Sequence, residues 1–93
     1  MELNLQKIRE ELDGIDDQMI DLFARRMRLV SDVAAYKKEN GLPILDAGRE
    51  SRILDRLGGK AGEDLAPYAR RVYETIFAVS REYQAKQFKD GET

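Results

Sequence analysis

At 93 residues, 42% of them apolar and 37% charged, the chain reads as one domain over 1–93 with the composition of long helices whose outer faces are solvated. A net charge of −2 gives no basic field for nucleic acid, and no apolar run approaches a membrane span or a secretory leader. The absence of Cys and His excludes a thiolate nucleophile, an imidazole base and an ordinary zinc site, and it fits a cytoplasmic address.

Placed in a heptad frame, residues 5–38 put Leu5, Leu12, Met19, Arg26 and Val33 at one core position and Ile8, Ile15, Leu22, Leu29 and Tyr36 at the other. Nine of these ten are apolar, the signature of one long amphipathic helix over 4–39. Gly14 costs about 1 kcal/mol relative to Ala, but the pattern passes through it. Such a helix is roughly 52 Å long at about 1.5 Å per residue, whereas a compact chain of this size is about 32 Å across. Its own chain cannot wrap it, so a two-fold homodimer is expected. The exception in the seam is Arg26. An unpaired guanidinium there costs several kcal/mol, roughly, so an anion must meet it.

Gly41 and Pro43 stop this helix and leave 40–45 as a short loop. Asp46 caps a second helix over 47–57, with Ile53, Leu54 and Leu57 as its apolar stripe. Arg49 and Glu50 fall in its first turn, where an arginine opposes the helix dipole. Gly58 and Gly59 read as the stop of that helix, opening a glycine-rich connection over 58–64. They do not make a phosphate loop, because Leu54 stands where that motif needs its first glycine. Asp13, Asp16 and Asp17 lack the spacing of a calcium loop and read as a solvated face. Pro67 opens a third helix over 66–88, whose core stripe is Ala69, Val72, Ile76, Val79 and Tyr83. Ser80 and Gln84, one turn apart beside that stripe, read by themselves as boundary polar residues.

Arg26 and Lys37 are 11 residues apart, three helical turns, so they share a face about 16 Å apart with room for a small anion between their tips. Arg9 lies about 25 Å before Arg26 on another face and cannot join them within one chain. Pairing the helix antiparallel with a dyad copy about residue 21 or 22 brings the partner's Arg9 opposite residue 34, between Arg26 and Lys37. Salt bridges to Glu10, Glu11, Asp32 or Glu39 would also satisfy these cations, although none of those acids shares the seam with Arg26. A small molecule carrying two carboxylates would match the arginine forks.

The order Arg9, Arg26, Lys37, then Asp46-x-x-Arg49-Glu50, then Ser80-x-x-x-Gln84 closely resembles the all-helical, AroQ-class chorismate mutases over residues 4–88. The resemblance implies an all-α fold of three helices entwined antiparallel with a twin chain as a homodimer. It also implies conversion of chorismate to prephenate with no cofactor, in phenylalanine and tyrosine biosynthesis. On that likeness Arg26 and the partner's Arg9 hold the two substrate carboxylates. Lys37 and Gln84 hydrogen-bond the ether oxygen of the breaking bond, and Glu50 with the Asp46 backbone receives the ring hydroxyl. Ser80 and Arg49 line the pocket. Leu45 departs from the pattern, since basic residues occur before Asp46 in the family.

The residues present suit that chemistry. A [3,3] rearrangement is unimolecular and transfers no proton, so it needs no His, Cys or metal. Two alternatives stay open, an isochorismate-pyruvate lyase on the same scaffold and a non-catalytic helical dimerisation module. Glu50 and Ser80 favour the mutase over the lyase, and Arg26 in the seam speaks against the module.

Overall fold

The computed structural model describes residues 3–90 as three helices, α1 (Leu5–Glu39), α2 (Ala47–Ala61) and α3 (Ala66–Asp90), with no strand among the described residues. α1 starts at Asn4, whose side chain accepts the Lys7 backbone N–H at 3.1 Å and satisfies one of the free donors of the first turn. The helix runs straight through Gly14 for 35 residues. It ends in a Schellman turn: Gly41 takes φ +65°, the Leu42 N–H reaches the Lys37 carbonyl at 2.8 Å, and the Gly41 N–H reaches Lys38 at 3.4 Å. A side chain at Gly41 would be strained in that conformation. The reversal brings Ile44 back against α1, where its carbonyl accepts from Lys37 Nζ at 2.6 Å.

Asp46 caps α2 as its sequence position predicts, its carboxylate accepting the Arg49 N–H at 3.1 Å. The expected stop at Gly58 is corrected: α2 continues to Ala61 and turns at Gly62, which has φ +90°. Gly58 is buried because α3 passes close by, and a Cβ there would lie 2.9 Å from Arg70 Nε. Its lack of a side chain serves helix packing, and the connection shrinks to residues 62–65. Gly59 is exposed with open space around it. Gly59→Ala should therefore stabilise the protein by up to about 1 kcal/mol through helix propensity alone. Thermal unfolding would read this as a rise of a few degrees, and a fall would show that position 59 is crowded in solution.

α3 is the element against which both others pack. Its far end is tied to α1 by Gln87 Nε2 donating to Ser31 Oγ at 2.6 Å and Lys38 Nζ donating to the Phe88 carbonyl at 2.8 Å. The stripe that α3 buries is not the expected one. Phe77, Ser80 and Gln84 are buried, whereas Val72, Val79 and Tyr83 stay exposed. The inward stripe is rotated by one residue, so the more apolar face of α3 is left outside.

The chain measures 60 × 28 × 14 Å with a radius of gyration of 17.0 Å, well above the roughly 12 Å of a compact chain of this length. Such a thin slab cannot bury both faces of its helices. All nine apolar residues of the α1 seam are at least 37% exposed, an uncovered stripe far larger than surface chance accounts for. No helix among the described residues is long and apolar enough to cross a membrane.

Candidate active site

Among the described residues the buried side chains are three apolar ones, Ala34, Ile53 and Phe77, and two polar ones, Ser80 at 5% and Gln84 at 6% exposure. A polar group costs free energy to bury unless it has partners, so the interior polarity here marks a site rather than a core. Beside Ser80 and Gln84 lies a cavity of about 320 Å³ walled by all three helices. Seven of the eight residues singled out in the sequence line it: Arg26, Lys37, Asp46, Arg49, Glu50, Ser80 and Gln84. Arg9 does not. It is exposed on the first half of α1, about 17 residues and 25 Å before Arg26 at the helical rise.

The helix geometry explains the convergence. Arg26 and Lys37 sit on one face of α1 as their spacing predicts, and Ser80 and Gln84 meet them from α3. Arg26 Nη1 donates to Ser80 Oγ at 3.1 Å, and its guanidinium carbon lies 5.8 Å from the centre of the Phe77 ring, within cation–π range. Phe77 is in turn held edge-on by Tyr73, with ring centres 6.0 Å apart. The Ser80 hydroxyl spends its proton on Met27 Sδ at 3.8 Å, a weak acceptor that a better one would displace. No carboxylate among the described residues pairs with Arg26 or Lys37, so the salt bridges to Glu10, Glu11, Asp32 or Glu39 are not formed.

Lys37 fixes Gln84. Its Nζ donates to the Ile44 carbonyl at 2.6 Å and to Gln84 Oε1 at 3.0 Å. An ammonium has three donors and no acceptor, so one N–H remains free. The amide oxygen must face Lys37 for the same reason, which leaves the two Gln84 N–H donors to point elsewhere. Two neighbouring donors with defined polarity, supported by a loop carbonyl, are suited to an oxygen that gains negative charge.

One charged lining residue escaped sequence reasoning, as did the apolar Val30, Ile44 and Phe77. Arg81 Nη1 lies 2.6 Å from both Glu50 oxygens, bridging α3 to α2 at the cavity wall. Its signal was faint: a charged residue between Ser80 and Gln84, one position round from the inward stripe. The cavity thus holds Arg26, Lys37, Arg49 and Arg81 against Asp46 and Glu50. Glu50 is already engaged by Arg81, and Asp46 caps α2. A net excess of positive charge in a chain of net charge −2 is local, and it suits an anion bearing two negative groups.

A sequence model of type II chorismate mutases matches residues 8–85. Among curated proteins, the chain is 37% identical over 59 residues to the 4-amino-4-deoxychorismate mutase of Streptomyces venezuelae, covering 63% of this chain and 57% of that one. It is 43% identical over 53 residues to the chorismate mutase of Methanocaldococcus jannaschii, covering 57% and 54%. The bifunctional chorismate mutase/prephenate dehydratase of Escherichia coli is 32% identical over 82% of this chain, which spans 20% of that protein. The chain therefore spans little more than half of the first two relatives and a fifth of the third. A conserved hypothetical protein from Pyrococcus furiosus has a similar solved structure, with a TM-score of 0.74 at 33% identity, covering 90% of this chain and 99% of that one. The family match runs through all three helices and takes in every residue of the cationic cavity, and this chain belongs to the type II chorismate mutases.

Proposed function

We propose that the protein is a homodimeric chorismate mutase that converts chorismate to prephenate, with each active site completed by Arg9 of the partner subunit. The observation that carries this reading is the pair of cations on one cavity, Arg26 and Lys37, with no carboxylate of the described residues on either and Gln84 oriented by Lys37. Chorismate brings the two carboxylates and the ether oxygen that such a set would hold.

In the reaction the ether C–O bond breaks while a C–C bond forms to the ring, and no proton moves. The protein's work is to hold the folded conformer and to stabilise charge. Arg26 clamps one carboxylate, with Ser80 turning its hydroxyl from Met27 to that group. The partner's Arg9 takes the other carboxylate, and holding both ends converts a floppy substrate into a near-attack conformer. The free Lys37 N–H and the Gln84 amide meet the ether oxygen as it becomes electron-rich, and one such preorganised donor is worth about 3 kcal/mol. Glu50 and the Asp46 backbone receive the ring hydroxyl, and Arg49 lines the approach.

The homodimer is supported by the uncovered seam. Leu29 and Val33 belong both to the seam and to the cavity wall, so a second chain laid along α1 passes over the cavity. The Streptomyces relative named for 4-amino-4-deoxychorismate raises a question of substrate, since that compound carries an amino group in place of the ring hydroxyl. We assign chorismate to this protein. Loss of chorismate absorbance with prephenate identified as product is the direct test; a purified dimer that leaves chorismate unchanged would overturn the assignment.

Gln84 keeps its donor at every ordinary pH, so activity should vary little from weakly acid to weakly basic solution. Gln84→Glu donates only while protonated, and Lys37 at 3.0 Å favours its charged form. The variant should work only toward acid, losing activity as pH rises. Identical pH profiles for variant and parent would remove Gln84 from the donor role.

A further inference from the structure

The Arg81–Glu50 bridge has no part in the clamp or in the donor pair, yet it forms the cavity wall where the ring substituent is received. We infer that Arg81 makes the site select a neutral hydroxyl over an ammonium at ring position 4 of the substrate. The inference rests on the mutase reading of this cavity and refines its substrate class.

A lone Glu50 carboxylate would do the opposite. Its charge would attract an ammonium more strongly than a hydroxyl. In the structure one guanidinium nitrogen lies 2.6 Å from both carboxylate oxygens, so the charge of Glu50 is cancelled where a ligand meets it. Each carboxylate oxygen still has a lone pair to spare, because an ionised carboxyl offers about four acceptor sites. A ligand hydroxyl can donate into one. An ammonium brought to the same oxygen is pressed against the guanidinium, with like charges a few ångströms apart and no charge left to compensate. Both partners are partly withdrawn from water, with side-chain exposures of 35% for Arg81 and 24% for Glu50, so this repulsion is only partly screened. The other charged groups on the cavity are Arg26 and Lys37 from α1 and Asp46 and Arg49 from α2. Asp46 is occupied with the helix cap, and the three cations add to the bias against an ammonium.

The test compares kcat/KM for chorismate and for 4-amino-4-deoxychorismate in the parent, in Arg81→Gln and in Arg81→Lys. The parent should prefer chorismate. Arg81→Gln, which keeps a donor and removes the charge, should move the ratio at least tenfold toward the amino compound. Arg81→Lys, which keeps the charge, should stay close to the parent ratio. A merely structural bridge would lower both activities together and leave the ratio alone, and an unmoved ratio in Arg81→Gln overturns the inference. If that variant does not fold, the parent itself decides. Its preference for chorismate should narrow as pH rises through the titration of the substrate's own amine, and a constant preference overturns the inference. A parent that turns over the amino compound better than chorismate also overturns it while leaving the mutase chemistry standing. A parent inert toward both compounds defeats the functional reading instead.

Discussion

Arg26→Met should lower turnover by at least about thirty-fold while leaving the protein as stable as the parent, or more so. The two effects separate because of what Arg26 touches. Among the described residues its polar contact is one hydrogen bond to Ser80 at 3.1 Å, and its guanidinium lies over Phe77. Methionine has similar bulk, places sulfur against an aromatic ring favourably, and leaves Ser80 its contact with Met27. Arg26 is half-buried, and replacing a partly desolvated charge by a packed apolar group is often neutral or stabilising. The proposed substrate carboxylate, by contrast, loses its charged partner. Truncating one side of such a buried pair costs about 2–5 kcal/mol, or roughly thirty- to several-thousand-fold in rate at 1.4 kcal/mol per factor of ten. Thermal melting and turnover measured on the same sample would decide it. A variant that unfolds early but remains active in the cold would mean that Arg26 serves the fold and not the ligand.

The same residue illustrates what the sequence could tell. A guanidinium in an otherwise apolar heptad seam is a local contradiction, and such contradictions concentrate at functional sites. Eleven-residue spacing then put Lys37 on its face, and the structure has both on one cavity. Helix limits were legible where capping chemistry fixes them, at Gly41 and Asp46, while the cap at Asn4 emerged only from the structure. Gly58 was misread because glycine has two uses, turning a chain and admitting a neighbour, and only the position of Arg70 distinguishes them. The buried face of α3 was misread for a related reason. Periodicity finds the face that avoids water, but it does not say what covers it. Here the apolar face bearing Val72, Val79 and Tyr83 is exposed in the single chain, while the face bearing Ser80 and Gln84 is the one turned inward. Arg81 stayed hidden because its partner Glu50 is 31 residues away on another helix, a pairing that no spacing rule reaches.

Mixing two inactive variants should restore activity, and the amount restored depends on where Arg9 acts. Arg9 is exposed on α1 and absent from its own chain's cavity, whereas Lys37 lies within it and holds Gln84. If each pocket takes Lys37 from one chain and Arg9 from the other, Arg9→Ala and Lys37→Ala homodimers should both be nearly inactive. Unfolding equal amounts together and refolding them makes about half the dimers mixed, by random reassociation of a two-fold dimer. In a mixed dimer, the pocket on the Arg9→Ala chain keeps its own Lys37 and receives an intact Arg9 from its partner. The other pocket lacks both. About one pocket in four is then whole, so the mixture should recover about a quarter of parental activity by the same symmetry. Were Arg9 instead to serve its own chain's pocket, every pocket in every dimer would lack one residue and nothing would return. Native mass spectrometry counts the mixed dimers independently of activity. Mixed dimers present in full measure with no activity regained would refute the antiparallel placement of Arg9.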